Sequence, residues 1–264
     1  MQSLLGALGV DAPQHLAGWS TGGAAVASFA IDRPVASLTL IDPVSPYGFG
    51  GCHADGRPCT PDWAGTGGGC GSPDFAERIA AGDRSEESPF SPRTVMNSSY
   101  WSPTHREPPE REEVLLEEIL RSQTGDDGYP GDSAPSPHWP GFAPGTRGIL
   151  NALSGRYCDW SGLVEVDPQP PVLWTHGTAD IVIADGSPWE MGTLGQIGAV
   201  PGWPGPQDYP PQQMVTQIRD LLEAYQQRGG RAVIEMFEGS GHFPVLDAAD
   251  RWRTTFLDFL GSTG

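Results

Sequence analysis

Short, nearly unbroken apolar runs punctuate this chain. Leu38-Thr39-Leu40-Ile41, Pro171-Val172-Leu173-Trp174 and residues 231–237 each have the length and bulk of a buried strand. A fourth stretch, residues 15–19, is followed by Gly22, Gly23, Ala24 and Ala25, small residues that predict a helix packed closely on a sheet. Helical spacing is clearest near the C-terminus. Met214, Ile218, Leu221, Leu222 and Tyr225 repeat on one face, and Arg228-Gly229-Gly230 ends the pattern. A last helix over residues 248–260 gathers Trp252, Phe256, Phe259 and Leu260, and a first short one covers residues 2–8, followed by the turn Gly9-Val10-Asp11-Ala12-Pro13. Strand and helix signals therefore alternate at both ends of the chain.

The middle reads differently. Residues 45–72 are rich in glycine and proline and predict an extended loop, followed by helical patches over 73–81 and 91–99. The clearest helix of this region spans 110–122, with acids in its first turn and Val114, Leu115, Ile119 and Leu120 on one side. Residues 124–137 return to loop composition. Trp139, Phe142, Ile149, Leu150, Leu153, Tyr157 and Trp160 then form an aromatic-rich end, read mainly as packing. The glycine runs 48–51 and 67–69 do not join a strand to a helix as a nucleotide loop would, and are expected to give flexibility at the base of a lid.

Chemistry enters at Gly18-Trp19-Ser20-Thr21-Gly22, a Gly-x-Ser-x-Gly sequence at a strand-to-helix turn. A serine there sits on strained backbone, so residues two before and two after it must lack clashing side chains, a demand that Gly18 and Gly22 meet. A serine nucleophile needs a base to take its proton and a carboxylate to orient that base. Asp180 follows the strand at 171–174 on a turn, and His242 sits on the glycine-flanked loop after residues 231–237. Asp185 and Asp42 compete for the role of acid. His15, His53, His105, His138 and His176 are weaker candidates for the base.

Three such motifs in the order Ser, Asp, His, each after a predicted strand, resemble the α/β-hydrolase family. The resemblance covers residues 1–46 and 170–264. It implies an α/β fold with a mostly parallel sheet flanked by helices: hydrolase core over 1–46 and 169–264, and an inserted helical cap over 47–168. It further implies a small-molecule, ester-like substrate cleaved through Ser20, His242 and Asp180, with the Thr21 N–H in the oxyanion hole and no cofactor or metal. In the family the serine follows the fifth of eight strands, whereas 19 residues precede Ser20 here. Four earlier strands with their crossovers would take on the order of a hundred residues. The chain is accordingly expected to lack the front of the sheet and the second oxyanion donor. Met1 would then be an internal methionine of a longer gene product, and the strand before Ser20 an exposed edge open to homo-oligomer formation. The alternative is a non-catalytic remnant of the fold that binds a small apolar ligand or a partner chain.

Composition narrows the classes. The 264 residues carry a formal net charge of −18, and all 15 basic residues are arginine. Such a chain repels nucleic acid and anionic membrane surfaces. No apolar run is long enough for a membrane span and the start lacks a basic secretory leader, so a cytoplasmic location is expected. Cys52, Cys59, Cys70 and Cys158 include no Cys-x-x-Cys pair and are expected to be free thiols.

Overall fold

The structure, a computed structural model, describes residues 2–10 and 12–263. Met1, the expected internal start, and Asp11, in the expected turn, lie outside the described residues, as does Gly264. In chain order, α1 (Gln2–Ala7), β1 (His15–Trp19), α2 (Thr21–Asp32) and β2 (Ser37–Ile41) open the fold. The middle segment holds α3 (Pro73–Ala80), α4 (Pro92–Ser99) and α5 (Pro109–Leu120). It also holds two small strand pairs, β3 (Thr124–Gly125) with β4 (Tyr129–Pro130) and β5 (Ser133–Pro135) with β6 (Phe142–Pro144). The chain closes with β7 (Val172–Gly177), α6 (Met191–Gln196), α7 (Met214–Gln227), β8 (Ala232–Phe237), α8 (Pro244–Asp247) and α9 (Ala249–Gly261).

Four strands form the main sheet in the order β1-β2-β7-β8, all parallel. The unbroken apolar runs have the cause the sequence suggested: Leu38, Leu40, Val172, Leu173 and Trp174 are fully buried, as parallel strands covered on both faces must be. They pack with Ala27 and Ala30 of α2, Ile218 and Leu222 of α7, and Trp160 at the end of the middle segment. Trp160 is also pinned to the core, its ring N–H donating to the Val44 carbonyl at 3.0 Å. Among the described residues β1 has a strand neighbour on one side, β2, and its other edge is open, with His15 and Ala17 exposed.

Several details differ from the sequence reading. The segment at 124–137, expected as loop, contains β3, β4 and β5, with β3 pairing β4 in parallel and β5 pairing β6 antiparallel. On α5 the buried residue is Leu116, which packs with Met96 and Trp101, and Leu115, Ile119 and Leu120 pack beside it as the spacing suggested. Val114 alone of the expected face is displaced, being 61% exposed. Of the aromatic-rich end, Trp160 is core but Ile149 and Tyr157 are exposed. The glycine runs are packed instead of open. A Cβ on Gly67 would lie 2.3 Å from the Asn151 Oδ1, so close approach is what these positions need.

The turn at Ser20 also revises the role of its glycines. A Cβ on Gly18 would fall 2.1 Å from the Gly22 carbonyl oxygen, and one on Gly23 would fall 2.6 Å from Pro43 Cβ, whereas one on Gly22 meets nothing within 4 Å. Close packing thus constrains Gly18 and Gly23, and Gly22 is free. Gly22→Ala is expected to leave stability within about 1 kcal/mol of the parent or to raise it by removing unfolded-state freedom. Gly18→Ala is expected to cost several times that or to prevent folding. Urea denaturation of the two variants measures the contrast, and equal losses would contradict it.

Candidate active site

Because the four strands are parallel, their carboxyl ends open on one side of the sheet, where ligand sites of open α/β sheets form. Each end delivers one polar side chain to that side: Ser20 after β1, Asp42 after β2, Asp180 after β7 and His242 after β8. Ser20 has φ 54° and ψ −118°, a conformation that L residues rarely adopt, and Asp42 has φ 41°. Hydrogen bonds hold the Ser20 turn in place. Its N–H donates to the Ile41 carbonyl at 2.9 Å, and its carbonyl accepts from Gly23 at 3.0 Å and Val44 at 3.2 Å. Thr21 opens α2, so its N–H has no helical partner four residues back, and among the described residues it makes no backbone hydrogen bond.

Asp180 and His242 meet directly. His242 Nδ1 lies 2.8 Å from Asp180 Oδ2, and both residues are buried. Asp180 Oδ1 accepts from the N–H groups of Val182 at 2.7 Å and Ile183 at 3.1 Å, which fixes the carboxylate plane. Ser20, Thr21 and His242 line a common cavity of about 410 Å³. No hydrogen bond joins the Ser20 hydroxyl to His242 among the described residues, and contacts of this kind often tighten only in the substrate complex. The cavity wall is aromatic and aliphatic, including Trp19, Phe49, Tyr100, Tyr129, Leu153 and Trp189, and among the described residues no carboxylate or guanidinium lines it. Burial pushes the Tyr100 phenol and the Cys70 thiol each up to about 12, so both lining groups are neutral. All four cysteines are free thiols.

The competing candidates separate cleanly. Asp185 accepts from the backbone N–H groups of Val215 at 2.9 Å and Thr216 at 3.1 Å and so caps α7. His15 bonds Ser37, His105 bonds Glu107, and His138 bonds Asp62; these three and His53 do not line the cavity. Asp42 and His176 lie directly behind the Asp180–His242 pair. Asp42 Oδ1 accepts from the Gly177 N–H at 2.9 Å, and His176 Nδ1 stands 3.5 Å from the same oxygen. Burial pushes His176 down to about 4, so its imidazole is neutral. Desolvation, with the neighbouring Asp180 charge second, holds the Asp42 carboxyl well above the usual carboxylate range.

Two residues that sequence reasoning passed over hold the histidine loop. Trp19 donates its ring N–H to the His242 carbonyl at 2.7 Å and lays its ring against Phe243. Asp247 accepts from the backbone of Gly241 at 2.8 Å, from the backbone of Ser102 at 2.7 Å and from the Ser240 hydroxyl, tying the loop to the middle segment. The aromatic inside the Gly-x-Ser-x-Gly motif was a signal for the first. Nothing local marked the second.

Asp247→Ala is expected to lower stability by about 2 kcal/mol or more, since two buried N–H groups lose their acceptor. An unchanged urea midpoint would assign the loop to Trp19 alone. For His176 the folded state refuses a proton that the unfolded chain accepts below about pH 6.5. Stability present at pH 7 is therefore lost as the pH falls towards about 4, by about 3 kcal/mol from this group. His176→Gln should show a shallower loss over that window in paired urea titrations.

No protein-family model and no curated protein matches the sequence. Solved structures do. A membrane phospholipase A, described as a bacterial virulence factor, is 17% identical, with 99% of this chain and 61% of that one aligned at a TM-score of 0.50. A candidate lipase from Acinetobacter baumannii is 14% identical, with 99% of this chain and 65% of that one aligned at 0.50. An esterase from Rhodococcus is 18% identical, with 99% and 70% aligned at 0.48. The chain thus spans less than two thirds of the first two structures. With its parallel sheet, its flanking helices and the strained serine turn after β1, the chain has the α/β-hydrolase fold.

Proposed function

We propose that the protein is a serine hydrolase that cleaves an ester or similar acyl bond of an uncharged, largely apolar small molecule. The observation that carries this reading is the placement of Ser20 and His242 on one cavity, with His242 bonded to Asp180 at 2.8 Å behind it. In this mechanism the Ser20 hydroxyl attacks the carbonyl carbon and His242 takes its proton. Asp180 steadies the imidazolium, and the Thr21 N–H donates to the developing oxyanion. Collapse expels the leaving group with the proton from His242. Water, deprotonated by His242, then releases the acid and restores Ser20. Residues 47–168 act as the cap, supplying Phe49, Tyr100, Tyr129 and Leu153 to the wall that excludes water.

A second reading, a binding pocket without turnover, draws on the absence of a Ser20–His242 hydrogen bond among the described residues. Labelling with a fluorophosphonate, followed by intact mass, separates the two. The purified protein is expected to gain one adduct that Ser20→Ala lacks, and p-nitrophenyl esters with apolar acyl chains are expected to exceed charged analogues in kcat/KM by about tenfold or more. No adduct on a chain that circular dichroism shows folded, or equal labelling of Ser20→Ala, would refute the serine mechanism.

A further inference from the structure

Behind the His242–Asp180 pair stands a second carboxyl group that the mechanism does not use. Asp42 is fully buried, and one polar side-chain atom from each of Asp42, Asp180 and His242 lies within 4.8 Å of the other two. Its Oδ1 accepts one hydrogen bond, from Gly177, while its buried Oδ2 has no partner. The titratable groups that face it are Asp180, His176, His242 and, farther off, Asp247. The charges of Asp180 and Asp247 both push the Asp42 carboxyl up. His176 is a neutral imidazole whose hydrogen bond goes to the Ile183 backbone and whose Nδ1 has no partner. Asp42 and Asp180 oxygens thus face one another, and among the described residues no donor reaches Asp42 Oδ2.

Two carboxylates this close in a dry site cannot both be ionised. The donors decide which keeps the charge. Asp180 is met by Val182 N–H, Ile183 N–H and the His242 ring, and Asp42 by Gly177 N–H alone, so the anion is better held on Asp180.

We propose that Asp42 is a neutral carboxylic acid whose O–H donates to the Asp180 carboxylate, a positioning residue that aims Asp180 at His242 and limits the negative charge facing the imidazole to one. This role rests on the proposed serine mechanism for its effect on turnover, but not for the protonation itself. A single negative charge matters because His242 must also give its proton away. Two carboxylates would hold the imidazolium too firmly for it to protonate the leaving group.

The test has two arms. Infrared spectra of the folded protein at neutral pH are expected to contain the carbonyl stretch of one protonated carboxylic acid that shifts in D₂O, disappears in Asp42→Asn and persists in Ser20→Ala. In the kinetic arm, Asp42→Asn, whose amide N–H replaces the donated O–H and whose carbonyl can still accept from Gly177, is expected to turn over at least about tenfold faster than Asp42→Ala, with the difference in kcat and not in KM. Absence of the acid band at neutral pH, or an Asn variant no better than a folded Ala variant, overturns the proposal. Should Asp42→Ala fail to fold, the infrared band in the parent and its loss in Asp42→Asn decide. A band that behaves as expected in a protein without serine-dependent turnover keeps the buried acid and removes the hydrolase reading, so the two failures are distinguishable.

Discussion

The site depends on the parallel ladder continuing past the ends of its strands. Ser20 N–H donates to Ile41, Asp42 N–H to Thr175 and Thr178 N–H to Phe237, each at 2.9–3.0 Å. These bonds place four strand ends side by side, so that residues about 220 positions apart in sequence share one small volume. They also sustain the left-handed backbone of Ser20 and Asp42, which neither residue would hold alone. Register in the sheet is consequently the same thing as geometry in the site. A slip at β2 would displace Asp42 and release the Ser20 N–H together.

What could be read from the sequence was what is encoded locally. The steric demand at the serine turn was legible at Gly18, though not at Gly22, and a buried parallel strand announces itself by an unbroken apolar run such as Leu38 to Ile41. The pairing of His242 with Asp180, and not with Asp42 or Asp185, is decided elsewhere: Asp185 is taken by the start of α7, which lies about thirty residues away in the chain. The same holds for Asp247, one of whose two backbone partners, Ser102, lies about 145 residues away in the chain. On α5 the choice between Val114 and Leu116 turned on where α4 and Trp101 lie, which helical periodicity alone does not contain. Gly22 and Gly23 are equally small in the sequence, and only the position of Pro43 distinguishes them.

Charge is distributed with a comparable division. A net charge of −18 coexists with a cavity wall that, among the described residues, bears no carboxylate. Many of the acids lie on exposed helices and turns, where pairs such as Arg121 with Glu118 contribute little to stability. The acidic side chains Asp42 and Asp180 are buried behind His242, where Asp180 accepts from the Val182 and Ile183 N–H groups and Asp42 from that of Gly177. Surface charge therefore sets how the molecule meets other macromolecules, and the cavity is left to select by shape and apolarity.

The middle segment leaves the core and returns to it through the same narrow doorway. The Trp160 backbone N–H donates to the Pro46 carbonyl and its ring N–H to Val44, so the segment's exit is fastened to its entrance at about 3 Å. The sheet consequently experiences everything between Pro46 and Trp160 as one closed loop, however long it is, and closure cost grows only slowly with loop length. Ties away from the doorway, from the Ser102 N–H to Asp247, the Gly50 N–H to Gln212 and the Tyr209 O–H to the Ala64 carbonyl, fasten the segment to the loops around the strands as well. Changes between these ties can reshape the cavity wall while the residues at the strand ends stay fixed, and changes at the ties reach them.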